Sequence, residues 1–267
     1  MSEKEVIELS DKVYTRKILG NEFKKIGLKP GMNVLVHSSL SKIGWVTGGA
    51  VSVIQALMDV ITKEGNIVMP AHSGDYSDPT NWSNPPVPEA WIDDIKENMP
   101  AFRKAVTPTR GIGIIPEIFR SFPDVKRSYH PCFSFTAWGK DSDYITKDHS
   151  LDYGLGEDSP LGKFYELAGY ILLIGVNHDR NTSFHLSEIR SGVRGEFNNE
   201  GPILVNGERV WQKFKDIEFD SDVFNKIGEA YEDQRDIKTG KIGLAPSKLF
   251  NQREAVDFAE KWLIENN

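Results

Sequence analysis

Cysteine is nearly absent. The 267-residue chain holds one, Cys132, so it can form no internal disulfide and shows no sign of an oxidising compartment. No apolar run approaches the roughly 20 residues that cross a bilayer; the longest, around Tyr170 to Val176, has the length of a strand. The opening residues, MSEKEVIELSDKVYTRK, are charged and lack the apolar core of a signal peptide. Cytoplasmic localisation without membrane contact is the expectation. Basic residues are outnumbered, 32 Lys and Arg against 39 Asp and Glu, for a net charge of −7. That argues against a nucleic-acid groove, which needs a basic face, and mildly favours a cationic small molecule. Internal repeats and low-complexity tracts are also missing.

What is present is ordinary globular composition, with 39% hydrophobic and 27% charged residues, so the chain folds. The organisation reads as one unit over residues 1–267. Ile18, Leu19, Phe23 and Ile26 recur at helical spacing between Thr15 and Leu28, and Pro30-Gly31 ends that helix. Asn33 to His37 reads as a buried strand, Val51 to Ile61 as a helix and Asn66 to Met69 as a second strand. Strand, helix, strand is a βαβ unit, which predicts an α/β fold with a mostly parallel central sheet and flanking helices. From His72 to Pro108 turn chemistry takes over, and the spacing predicts a long Pro-rich functional loop. A helix near Ile115 to Phe122, a strand over Phe133 to Trp138, a helix over residues 160–169 and a strand at Tyr170 to Ile174 follow. Asn206-Gly207 between apolar runs predicts a hairpin over Ile203 to Trp211. The last helix begins near Asn251, with Asn251 and Glu254 as a reciprocal cap and Leu249 and Phe250 on its core side. Hairpin and helix together suggest a small C-terminal lobe.

Ligand loops of open α/β sheets lie beyond the carboxyl ends of the strands. The run from Gly175 to Glu188 leaves such a strand and enters a helix capped by Asn181 or Thr182. His185 then falls in the first turn with Glu188 on the same face. An imidazole is the natural general base at neutral pH, and a carboxylate on its far nitrogen fixes the tautomer. A helix-capping or core role for His185 is the plain alternative. His178, Asp179, His185 and Glu188 also suit a metal, as in a metal-dependent hydrolase, though no HExxH or Cys pair supports it. Thr107-Pro108-Thr109-Arg110-Gly111-Ile112-Gly113 runs into a helix and offers backbone donors to phosphate, or is an ordinary turn. Ser38-Ser39 after the first strand offers similar donors, or is a simple cap. Cys132, between Pro131 and Phe133, reads as core.

Taken together, a dozen segments in order resemble the aminoglycoside 3-N-acetyltransferase family. They are Val36 to Leu40, Gly48-Gly49, Met69 to Ser73, Asp75 to Pro79, Asn84 to Pro88, Asn98 to Phe102, Thr107 to Gly111, Ser128 to Pro131, Ser134 to Gly139, His149 to Gly156, Ser159 to Leu161 and His178 to Glu188. The resemblance spans nearly the whole chain.

It implies acetyl-CoA as co-substrate and, as acceptor, the 3-amino group of a 2-deoxystreptamine aminoglycoside. Carried over residue by residue, Ser38, Ser39, Leu40, Thr107, Arg110, Gly111 and Gly113 would face acetyl-CoA. His185 would be the base and Glu188 its partner, with no metal. His72, Asp75, Asp78, Asp152 and Glu157 would line the acceptor side, where carboxylates favour a polycation. A different amine acceptor for the same acyl-CoA chemistry stays open, since fold and cofactor site do not fix the acceptor. Oligomeric state is not legible, a homodimer being among the options.

Overall fold

The computed structural model describes residues 2–266. Thr15 caps the first predicted helix, accepting from the Ile18 amide at 3.3 Å, and Gly27 ends it at a φ of 114°. Before that helix lies one the hydrophobic pattern did not announce, α1 (Glu3–Leu9), which buries no residue. In chain order the elements continue as α2 (Arg16–Ile26), β1 (Asn33–Ser38), α3 (Leu40–Ile43), α4 (Gly49–Ile61), β2 (Asn66–Pro70), α5 (Ile92–Asn98), α6 (Ile114–Phe119), β3 (Lys126–Arg127) and β4 (Phe135–Gly139). The second half comprises α7 (Ser142–Thr146), α8 (Pro160–Glu166), β5 (Tyr170–Ile174), α9 (Ser183–Ser191), β6 (Glu196–Val205), β7 (Glu208–Ile217), α10 (Phe224–Gln234), β8 (Lys238–Ile242), β9 (Ala245–Asn251) and α11 (Gln252–Glu265).

Seven strands form one sheet in the order β3-β4-β2-β1-β5-β9-β8, while β6 and β7 pair separately. The expected parallel arrangement holds at the centre, where β1 pairs in parallel with β2 and with β5. The four outer pairings are antiparallel, so the sheet is mixed. Its outer strands are joined by short turns, β3 to β4 and β8 to β9, and a short turn can only reverse direction, whereas parallel neighbours need a crossover.

Both faces of the sheet are covered. Val34 and Val36 of β1 pack with α2, α4 and α6, and α4 alone buries seven residues there, among them Val53, Ile54 and Leu57. Leu35 points to the opposite face, where Leu161 and Phe164 of α8, Leu186 of α9 and Val256 of α11 gather. Each such Leu, Ile, Val or Phe contributes about 1.5–3 kcal/mol on burial. Strands buried on both sides read as continuous apolar runs, which is why β1, β2 and β5 were visible in the sequence.

Two expectations need correcting. The stretch 72–108 is not structureless: it contains two single 3-10 turns, Pro79–Asn81 and Glu89–Trp91, and the helix α5. There is no separate C-terminal lobe, because β8 and β9 extend the main sheet and α11 packs on it. Leu249 and Phe250 belong to β9 rather than to the last helix, and of the predicted reciprocal cap the Asn251 half is formed, accepting from the Glu254 amide at 3.1 Å. The hairpin is longer than predicted, but its turn is Asn206-Gly207 with both φ angles positive.

Candidate active site

Because β1, β2 and β5 run the same way, the segments that leave them emerge at one edge of the sheet. Together with Gly111 to Ile114 and α9 they enclose a cavity of about 1000 Å³. Val36 to Ser41 span the end of β1 and the segment after it, Pro70 ends β2 with His72 just beyond, and Gly175 to Asn177 follow β5. Gly175, at a φ of 63°, lets the chain turn there, and a Cβ would meet that of Lys42 at 2.5 Å. Glu3, Val6 and Trp45 form a further wall, joined by the Trp45 indole donating to Glu3 at 3.2 Å.

His185 opens onto this cavity from the first turn of α9. Its Nδ1 donates to Glu188 Oε2 at 2.7 Å, and the Glu188 side chain is 0% exposed against 18% for His185. The other Glu188 oxygen accepts from Arg194 Nε and from the Asp220 amide, both at 2.9 Å. Phe219 and Phe224 hold the imidazole from two sides at 4.7 and 4.8 Å between centroids. With Nδ1 protonated by this arrangement, the lone pair of the neutral ring sits on Nε2, which makes no hydrogen bond among the described residues. That is the form a general base needs.

Two more imidazoles belong to the same cavity. Burial pushes His37 and His72 down to about 3, with the neighbouring His185 ring adding to the effect, so both are neutral at pH 7. Nε2 of each, and the hydroxyl of Ser38, have no hydrogen-bond partner among the described residues.

Of the residues expected to face acetyl-CoA, Ser38, Ser39, Leu40, Gly111 and Gly113 line the cavity. Gly113 sits at a φ of 84°, and a Cβ there would lie 3.7 Å from the Ser38 carbonyl oxygen, so the two segments face each other across the cavity wall. Thr107 and Arg110 do not line it: Thr107 is buried and accepts from the Arg103 amide, and Arg110 pairs with Asp75 at 3.4 Å. On the acceptor side His72 is in the cavity, and Asp75 lies beside it through Arg110, whose amide donates to the His72 carbonyl. Asp78, Asp152 and Glu157 are not brought to it. Asp78 is paired with Lys96 at 3.0 Å, Asp152 accepts from the Lys215 amide at 2.7 Å, and Glu157 takes Arg190 with both oxygens.

The four candidate metal ligands do not converge. His178 turns away, its Nε2 donating to Glu232 at 2.6 Å while its ring stacks on Phe184. Among the described residues no three His, Cys, Asp or Glu form a metal-holding group. Cys132 is buried outside the cavity, and burial pushes its thiol well up, away from the nucleophilic form. Sequence reasoning missed His37, Phe219, Phe224, Arg194 and Asp220. Only His37 had a signal, an imidazole closing an otherwise apolar strand.

The family profile described as aminoglycoside 3-N-acetyltransferase matches residues 35–264. The chain is 52% identical over 265 residues to the SPbeta prophage-derived aminoglycoside N(3')-acetyltransferase-like protein YokD of Bacillus subtilis, covering 99% of this chain and 97% of that one. The crystal structure of that protein superposes with a TM-score of 0.97 over 98% of each chain. Aminoglycoside N(3)-acetyltransferase VII of Streptomyces paromomycinus is 33% identical over 99% of this chain and 96% of its own. A structure of AAC-IIIb as a binary complex with CoASH, 27% identical, gives a TM-score of 0.84 over 95% of this chain and 97% of that one.

Proposed function

The chain belongs to the aminoglycoside 3-N-acetyltransferase family, and from that premise we propose that it moves the acetyl group of acetyl-CoA to the 3-amino group of a 2-deoxystreptamine aminoglycoside, with His185 as base. The observation that carries this reading is the His185–Glu188 pair at 2.7 Å, opening onto a cavity shared with Ser38, Ser39 and Gly113.

The residues present fit such a co-substrate. Ser38, Ser39 and Leu40 on one side and Gly111 and Gly113 on the other hold it, since glycines admit close backbone approach and the unpartnered Ser38 hydroxyl awaits a ligand. When bound, acetyl-CoA supplies an activated acyl carbon and a thiolate leaving group. An aminoglycoside amine is largely protonated at neutral pH and cannot attack until it loses that proton. Nε2 of His185 takes it, and buried Glu188 stabilises the imidazolium that results. A positioned base of this kind contributes a factor of about 10²–10⁴.

CoA release, followed with a thiol reagent over an aminoglycoside panel, tests the proposal. Release that depends on the amine supports it. A protein that neither shifts its melting temperature with acetyl-CoA nor releases CoA with any member of the panel rules it out.

A further inference from the structure

His37 is a polar residue of this cavity with no part in the proton transfer at His185. Along β1, Val34 and Val36 face α2 and α4 while Leu35 faces α9. Alternation therefore turns His37 towards α9 and His185. It lines the cavity, yet it is only 6% exposed and its Nε2 has no hydrogen-bond partner. Ser38 Oγ and His72 Nε2 on the same wall are also unpaired. A buried polar atom without a partner is costly; His130 and His149, buried elsewhere, each use both ring nitrogens, while His178 bonds through Nε2 and leaves Nδ1 unpaired. On the wall of this cavity three such atoms gather, His37 Nε2, His72 Nε2 and Ser38 Oγ, where a ligand would complete them.

Its charge state narrows the role. Burial first and the His185 ring second hold His37 neutral, so it has one N–H to give and does not repel the imidazolium that forms on His185. A neutral imidazole at that place has one N–H to donate and one ring nitrogen to accept, and an oxygen that gains negative charge calls for the donor.

We propose that His37 donates its ring N–H to the thioester carbonyl oxygen as negative charge develops there, a role that rests on the N-acetyltransferase reading above. The free amine, its ammonium proton already passed through His185 to solvent, bonds to the carbonyl carbon, and the proton its nitrogen loses on amide formation passes to His185 Nε2. The carbon–sulfur bond breaks with its electron pair on sulfur, and the thiolate recovers the proton from the imidazolium. His37 keeps its own proton throughout. Its contribution is a dipole aimed where charge appears only in the transition state.

The test compares wild type, His37→Phe and His37→Gln. Phe keeps the ring volume, and Gln restores an N–H. Expected is a kcat lower by about 10²–10³ in His37→Phe, with at least ~10-fold recovered by Gln, the usual scale for one oxyanion donor. Acetyl-CoA affinity by calorimetry and the acid limb of the kcat/KM profile should stay at wild-type values, because the donor acts after binding and does not touch the His185–Glu188 pair. A His37→Phe enzyme with wild-type kcat overturns the proposal. So does a loss of kcat matched by an equal loss of acetyl-CoA affinity or a moved acid limb, which marks a structural role. If His37→Phe does not fold, His37→Leu takes its place, and equal activity of the Leu and Gln variants counts against the role. A wild type that releases no CoA fails the parent reading instead, which keeps the two failures apart.

Discussion

His185 and Glu188 stand one helical turn apart on α9, with the imidazole Nδ1 2.7 Å from a carboxylate that water does not reach. The carboxylate is itself held by Arg194 and by the Asp220 amide, so the ring is oriented from behind by three elements.

Glu188→Gln should therefore lower kcat by about 10²–10⁴, since the amide neither fixes the tautomer reliably nor stabilises the imidazolium. Glu188→Ala should also cost stability, near the lower end of the ~3–5 kcal/mol for breaking a buried ion pair, because Arg194 retains some access to water. Steady-state CoA release and urea unfolding measure the two effects. Unchanged kcat in the Gln variant would remove Glu188 from the mechanism.

Arg127 makes a second prediction. Its buried guanidinium makes no ion pair among the described residues and gives its five donors to the carbonyls of Lys104, Thr107 and Ala71 and the hydroxyls of Ser134 and Ser73. This ties the 104–107 stretch, which leads into Gly111 and Gly113, to the end of β2. Burial lowers the group to about 10, still charged at pH 7. Arg127→Met should destabilise the protein by about 3 kcal/mol, as several buried acceptors lose their donor, and should raise the KM for acetyl-CoA more than it lowers kcat. Urea unfolding and a KM-against-kcat comparison decide it.

Acid should unfold the protein steeply. Burial drives His37 and His72 to about 3, His130 to about 4 and His149 well below its ordinary range. Each is neutral in the fold but takes up a proton when unfolded below about pH 6.5. Asp216 is opposite: burial raises it from 3.8 to about 7, so between those values the native state holds a proton that the unfolded chain releases. Four protons taken up against one released leave about three near pH 5, a loss on the order of 4 kcal/mol per pH unit of acidification. Stability from urea unfolding at pH 5 to 8 measures that slope. Asp216→Asn should be more stable than wild type at pH 8 and steeper in acid, and a flat profile would contradict these shifts.

Much of the central fold was legible because β1, β2 and β5 are buried on both faces and read as unbroken apolar runs, and because α2 and α4 carry clean one-sided patterns. The antiparallel edges were not, since Lys238 to Ile242 is mostly exposed and shows no apolar periodicity. The His185–Glu188 pair was visible because its two members lie three residues apart on one helix. Phe219, Phe224 and Asp220 reach His185 only through the return of the chain after the hairpin, and nothing local announces that. The acceptor carboxylates failed for a related reason: Asp78, Asp152 and Glu157 look free in the sequence, but folding gives each a cation or an amide.

The central claim is that His185 removes a proton from the attacking amine. The most direct measurement is the ratio of wild-type to His185→Ala turnover, as CoA release with an aminoglycoside, from pH 6.5 to 9.5. The account predicts a ratio of about 10²–10⁴ at neutral pH that narrows as solution supplies the free amine. A His185→Ala enzyme that matches wild type at neutral pH, or a ratio that does not change with pH, would contradict it.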